Sequence, residues 1–206
     1  IGRDLSLQKS AGTDLSLQGE KLFEGVAFQL RENERIELRG RNGAGKSTLI
    51  KAILDARNND KPTTLLSGEI KVDLHVNIGS YEQEINNNYF ELSLYDAIER
   101  TYLDRNLPVT DQKIRQLLKS YLFEAGDAGV KVAQLSGGQK ARLQLISMLA
   151  NDPQLLILDE PTNHLDLPSI EELEIALEKY SGAVLFVSHD DYFRQKLGAG
   201  VVMIGR

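Results

Sequence analysis

The chain has 206 residues, 41% of them hydrophobic and 26% charged, and its 30 acidic and 24 basic side chains leave a formal net charge of −6 with no cysteine. That length fits one domain with room for a subdomain, and a chain of this size buries roughly 70% of the surface its unfolded form exposes, so neither disulfides nor a metal is needed to hold it together. Thiolate catalysis, disulfide staples and cysteine–zinc sites are excluded. The acidic surplus argues against a duplex held mainly by a broad basic face, and the longest aliphatic runs, Leu155 to Leu158 and Ala183 to Val187, are about a quarter of the ~20 residues a membrane span requires.

In chain order, the opening Ile1-Gly2-Arg3 carries neither methionine nor an apolar leader, and the sequence stops at Gly205-Arg206 directly after an apolar run, so it reads as a soluble piece of something longer. A tandem echo, Asp4 to Gln8 and Asp14 to Gln18, is too short for a repeat architecture and reads as two paired edge strands or as coincidence. Strands are expected at Val26 to Leu30 and Arg35 to Arg39, and a helix from about Lys46. Leu15 to Leu17, Glu69 to Val72 and Gly79 to Gln83 alternate more weakly and suggest an antiparallel flank. Ser93-Leu94-Tyr95-Asp96 resembles a helix start, with Leu94, Ala97, Ile98 and Tyr102 at helical spacing. A second helix is expected from about Asp111 to Phe123, with Ile114, Leu117, Leu118, Tyr121 and Leu122 on one stripe. These two form a helical insert between Gln83 and Leu135, followed by a helical stretch through Ala141 to Leu149. Leu155 to Asp159, Val184 to Val187 and Val201 to Ile204 are near-continuous apolar runs, the pattern of strands buried on both faces of a mainly parallel α/β sheet.

Three segments carry chemistry. Gly40-Arg41-Asn42-Gly43-Ala44-Gly45-Lys46-Ser47 fits G-x-x-x-x-G-K-[ST] between a strand and a helix. Its glycines let successive N–H groups converge on anionic oxygens, the helix adds its positive end, Lys46 neutralises β/γ-phosphate charge and the Ser47 hydroxyl ligates Mg²⁺. Asp159 and Glu160 close a buried strand at its C-terminal end, where ligands of open α/β sheets collect; Asp159 would hold the Mg²⁺ hydration shell and Glu160 would polarise an attacking water. A buried strand ending in acids is common, so this pair gains meaning only beside the phosphate loop. Ser136-Gly137-Gly138-Gln139 has the spacing of a capping box, yet two adjacent glycines and a hydroxyl at a helix N-terminus also make a second phosphate cradle. One nucleotide has no use for two distant cradles, whereas a dimer that shares its nucleotides does.

The four segments Gly40 to Ser47, Leu135 to Gln139, Asp159-Glu160 and Val187-Ser188-His189-Asp190 resemble, in order and spacing, the motifs of the ATP-binding cassette family. The resemblance implies an α/β fold with a P-loop NTPase core, a mainly parallel sheet flanked by helices, an antiparallel β flank and an α-helical subdomain inserted at about residues 90–150 of a single domain spanning 1–206. It implies an ATPase whose cofactors are ATP and Mg²⁺, bound by Asn42, Gly43, Ala44, Gly45, Lys46, Ser47 and Thr48, with Ser47, Gln83 and Asp159 toward the metal. Glu160 becomes the general base, Lys46, Gln83 and His189 complete the catalytic set, and a second cassette contributes its own Ser136, Gly137, Gly138, Gln139 and the bridging Asp166. Asp159-Glu-Pro-Thr-Asn-His-Leu-Asp166 and Gly182 to Asp190 are similar to the ABC-F branch, cytoplasmic two-cassette proteins that act on the ribosome as translation factors or in antibiotic resistance. The short segment from Gln83 to Leu135 suits the C-terminal cassette of such a chain. A transporter ATPase subunit and a nucleotide-gated interaction module are the competing readings. One departure concerns the base: the family often stacks an aromatic on adenine where this sequence has Gln18, with Leu17 and Phe23 nearby.

Overall fold

The computed structural model describes residues 5–6, 13–17, 20–57, 65–67, 70–73, 75–81, 85, 87–163 and 165–205. Its strands and helices run in the order β1 (Leu5–Ser6), β2 (Thr13–Leu17), β3 (Glu20–Val26), β4 (Gln29–Leu30), β5 (Arg35–Arg39), α1 (Lys46–Arg57), β6 (Leu65–Ser67), β7 (Lys71–Val72) and β8 (Ile78–Tyr81). Then follow α2 (Leu94–Asp104), α3 (Asp111–Ser120), α4 (Gly137–Leu149), β9 (Leu155–Asp159), α5 (Leu167–Lys179), β10 (Ala183–Val187), α6 (Asp191–Leu197) and β11 (Gly200–Met203). The chain divides into two compact units, one of residues 1–78, 154–161 and 181–206, the other of residues 79–153 and 162–180.

The first unit holds β11, β5, β10 and β9 of a five-stranded sheet of order β11-β5-β10-β9-β8, in which β11/β5, β5/β10 and β10/β9 pair in parallel. Period-two alternation sorts its side chains: Ile36, Leu38, Leu155, Ile157, Ala183, Leu185 and Val187 join Leu49, Ala52 and Ile53 of α1 in one core, while Phe186 faces the other way and meets Phe193 of α6 edge-on at 5.9 Å. All five residues of β10 are buried, as a strand covered on both faces requires. Two three-stranded antiparallel sheets, β4-β1-β7 and β3-β2-β6, complete the unit.

The second unit is helical. Leu94, Ala97, Ile98 and Tyr102 of α2, Ile114 and Leu118 of α3, and Leu143 and Ile146 of α4 share one core with Phe123, Val132 and Leu135. Ser93 and Thr110 cap α2 and α3 by accepting from the amides of Asp96 and Lys113. No helix among the described residues is long and apolar enough to cross a membrane.

Five local expectations are corrected. Val26 to Leu30 is not one strand: β3 ends at Val26, and β4 starts after two intervening residues in a different sheet. The two halves of the tandem echo do not pair with each other, because β1 and β2 are the middle strands of separate sheets. The strand at Ile78–Tyr81, assigned to the antiparallel flank, is instead an outer strand of the five-stranded sheet; its alternating burial is that of an edge strand with one covered face. The α3 helix stops at Ser120, since Leu122 turns left-handed (φ 56°) and sends Phe123 back into the core. Finally β11 is an edge strand, with Val201 45% and Met203 61% exposed, so apolar composition alone misread it as buried on both faces.

Candidate functional site

The phosphate loop joins β5 to α1. Gly43 (φ 80°) and Gly45 (φ 94°) occupy backbone conformations that a Cβ makes costly, and they turn the chain between the Ala44 N–H to Arg41 carbonyl bond (3.1 Å) and the first helical bond, Leu49 N–H to the Gly45 carbonyl (2.9 Å). The amides of Lys46, Ser47 and Thr48 precede that bond and point out of the helix N-terminus, the donor arrangement an anion needs. Lys46 is 9% exposed, and its Nζ donates to the carbonyls of Gly40 (3.0 Å) and Arg41 (3.1 Å), which holds the charge against the loop. Gly40 itself serves packing rather than the cradle. A Cβ there would lie 2.2 Å from the Ile204 carbonyl oxygen, and one on Gly205 would lie 3.2 Å from Ala44 Cβ. The chain after β11 therefore runs directly against the loop, where the Ile204 amide donates to the Arg39 carbonyl at 2.7 Å.

The acidic end of β9 lies in the same unit. Alternation along the strand sets Asp159 on the face of Leu155 and Ile157, the face that packs on α1. Glu160 follows with φ 49°, a left-handed conformation that costs a non-glycine residue about 1 kcal/mol. Its amide donates to the Val187 carbonyl (2.9 Å), so the turn is pinned to the end of β10. The carboxylate is 13% exposed and is engaged twice by His189: the His189 amide donates to Oε2 (3.1 Å), and Nε2 lies 3.3 Å from Oε1. His189 is itself more than half exposed, so one flank of the pair is open to solvent.

In the other unit, Ser136 heads α4 with a complete capping box. Its Oγ accepts from the Gln139 amide (3.2 Å), and Gln139 Oε1 accepts from the Ser136 amide (3.0 Å). Gln139 Nε2 further donates to Asp127 Oδ1 (3.0 Å). Asp166 caps α5, accepting from the Ser169 amide (3.2 Å) and from the Ser169 hydroxyl, and these bonds hold its carboxyl below the usual aspartate range.

One unit thus gathers Gly40 to Thr48, Asp159, Glu160 and His189, and the other gathers Ser136 to Gln139 with Asp166. Gln83 and Gln18 lie outside the described residues, as does His164 of the Asn163 to Asp166 phrase. Two residues of this region were missed by the sequence reading. Ser169 carried a signal, since Asp166-Leu-Pro-Ser169 is a helix start with proline at the first turn. Arg142 carried a weaker one, four residues after Gly138 on the same helix face. Its Nη1 donates to the carbonyls of Leu122 (2.8 Å) and Tyr121 (3.3 Å), its Nε reaches the Gly138 carbonyl at 3.4 Å and lies 3.7 Å from Glu172 Oε2, and its guanidinium stacks 5.2 Å from the Phe123 ring centre.

A parallel strand, a glycine turn and a helix, with acidic residues at the end of the buried strand next but one in the same sheet, define a P-loop nucleotide-binding ATPase domain of the open α/β type. The chain belongs to the ABC transporter family, whose sequence profile matches residues 23–163, and within it to the ABC-F branch of ATP-binding proteins. It is 39% identical over 192 residues to the ATP-binding protein YdiF of Bacillus subtilis, covering 92% of this chain and 28% of that protein. The ABC transporter F family member 5 of Arabidopsis thaliana is 35% identical across 93% of this chain and 26% of its own length. The ribosome protection protein VmlR of Bacillus subtilis is 34% identical across 86% of this chain and 30% of its own length. The chain therefore spans under a third of each of these relatives. A dimeric ATP-binding cassette solved in a post-hydrolysis state with ADP and Pi shares the fold at TM-score 0.68 and 22% identity, covering 98% of this chain and 94% of that one.

Proposed function

We propose that this domain binds ATP-Mg²⁺ on the Gly43 to Thr48 loop and hydrolyses it when a second cassette closes over the nucleotide with its own Ser136, Gly137, Gly138, Gln139 and Asp166. The observation that carries the reading is the Glu160–His189 pair, fixed at 3.1 and 3.3 Å in the unit that also holds the phosphate loop. Glu160 takes a proton from water as the water oxygen bonds to the γ-phosphorus; the bond from that phosphorus to the bridging oxygen breaks, giving ADP and phosphate. His189 holds the Glu160 carboxylate in place from two sides. Lys46 and the loop amides neutralise the charge that spreads over the phosphate oxygens. Gln83 would complete the set from the segment beyond β8.

The donor set suits Mg²⁺. Among the described residues no cation pairs with Asp159, and one carboxylate with the Ser47 hydroxyl meets the needs of an ion that keeps several waters and takes phosphate oxygens. Gln83 would join them. When bound, the ion would supply positive charge against the phosphate oxygens as negative charge builds on them. The Ser136 capping box is compatible with phosphate contact, because its Oγ acts there as an acceptor and keeps its own proton to donate.

The full-length protein is proposed to act on the ribosome, as a translation factor or in antibiotic resistance. The Asn163 to Asp166 wording supports this, as does the likeness to a ribosome protection protein. Glu160→Gln should lower turnover about 10²–10⁴-fold while ATP still binds; parental turnover in that variant would remove Glu160 as base. Turnover should rise faster than linearly with protein concentration, and a linear rise would count against a shared site. Full-length Glu160→Gln protein should co-sediment with ribosomes in ATP, and failure to do so would count against the ribosomal role.

A further inference from the structure

Gly137 and Gly138 enter α4 side by side, but they face different surroundings. A Cβ on Gly137 would meet nothing within 4 Å. A Cβ on Gly138 would lie 2.9 Å from Ser169 Oγ and 3.3 and 3.4 Å from the two carboxylate oxygens of Asp166. Ser169 is 3% exposed and its hydroxyl donates to Asp166 Oδ1, so that oxygen cannot swing away without giving up this buried bond beside the α5 cap. The second glycine of the Leu135 to Gln139 segment, the signature turn, is thus spent on letting the first turn of α4 touch the first turn of α5.

We propose that Ser169 is a positioning residue, wedged between Gly138 and Asp166, that locks the signature turn to the start of α5 so that Ser136, Gly137 and Asp166 meet the second cassette as one rigid piece. The proposal rests on the shared-site reaction described above and adds to it the residue that keeps two of its contacts in register. Arg142 braces the same junction, with Nε 3.4 Å from the Gly138 carbonyl on α4 and 3.7 Å from Glu172 on α5. Two helix starts joined by an ion pair and a steric contact move together, because a packed junction repacks in discrete steps rather than deforming smoothly. Ser169 touches neither nucleotide nor metal in this scheme and acts only through Gly138 and Asp166.

A mutant cycle in the 206-residue chain tests the lock through opposite signs in two backgrounds. Gly138→Ala should lower kcat about 100-fold with KM for ATP changed by less than about twofold, because the added methyl, held off by Ser169 Oγ, pushes the first turn of α4 away from α5. Ser169→Ala in the parent should lower kcat about threefold, yet the same change added to Gly138→Ala should raise it about tenfold by making room for the methyl. If Ser169→Ala lowers the Gly138→Ala rate further, or leaves it unmoved, the lock is wrong and Gly138 is needed for the nucleotide alone. Amide hydrogen exchange gives the second reading, independent of turnover and of whether Gly138→Ala folds. Ser169→Ala should speed exchange at Ile170, whose amide bonds the Asp166 carbonyl, and also at Lys140, whose amide bonds the Ser136 carbonyl across the junction. Faster exchange at Ile170 with Lys140 unmoved makes Ser169 an ordinary cap and overturns the proposal. A parent chain that turns over no ATP overturns the shared-site reaction, while the exchange result still decides the lock.

Discussion

The two glycine-bearing turns of this chain, Gly40 to Lys46 and Leu135 to Gln139, use the same residue types for opposite ends. In the first, Gly43 and Gly45 adopt left-handed backbone that frees the loop from normal chain direction, and the amides entering α1 stay available. In the second, neither glycine has a positive φ, and the amides of Ser136 and Gln139 are already spent in a reciprocal capping box. One turn leaves its helix-start donors open, as an anion receptor would; the other is a closed structural joint that presents a hydroxyl. Each turn also holds one glycine for contact alone, Gly40 against the Ile204 carbonyl and Gly138 against Ser169. A glycine-rich motif therefore mixes conformational and steric glycines, and spacing alone does not separate them.

The sharpest break should come at Lys46. Lys46→Ala removes the only side-chain cation set against the Gly40 and Arg41 carbonyls among the described residues, and kcat/KM for ATP should fall about 10³-fold while the fold survives; steady-state ATPase rates check this, and near-parental activity would undo the receptor half of the comparison. Gly40→Ala comes next, because its methyl must displace backbone at 2.2 Å. The expected loss is about 1–3 kcal/mol of stability in denaturant unfolding, before any effect on nucleotide is considered. Gly137→Ala should go the other way, gaining about 0.5–1 kcal/mol, since the position is open and its φ is ordinary. Activity lost in that stabilised variant would belong to contacts with a nucleotide or a second cassette.

The smallest effect concerns Asp166. Hydrogen bonds from Ser169 hold its folded-state pKa below the unfolded value, so its contribution is present above the ordinary aspartate value of about 3.9 and fades as pH falls through the lowered one. Asp166→Asn should be less stable than the parent at neutral pH, with the gap closing in acid. Urea titrations at a series of pH values check the sign, and a gap that widens in acid would reverse it.

Much of the first unit was legible in sequence because its signals are local or periodic. Leu155 to Asp159 and Arg35 to Arg39 form strands with the expected limits, and in the second unit Ser93 and Ser136 cap helices as their spacing predicts. The misreadings share a cause. Whether Val201 to Ile204 lies inside a sheet or at its edge, and which sheet receives Ile78 to Tyr81, depends on partners far along the chain that no window of residues contains. At the site, residue types and order pointed to the phosphate loop, yet the left-handed backbone of Glu160 and the contacts of Gly40 and Gly138 arise only once separate segments meet. Ser169 stayed hidden for the same reason: its helix-start signal was visible, but its glycine neighbour was thirty-one positions upstream.

The stacking of Gly40 on the Ile204 carbonyl also gives synthesis an order. The loop's own residues emerge early, but the backbone that sets its height arrives only when Ile204 and Gly205 have been made and β11 has paired with β5. Contacts this distant in sequence are slow to close. A nascent chain therefore carries the glycine loop without the floor beneath it until the residues up to Gly205 have been made, and the loop's surroundings are finished among the last parts of the unit.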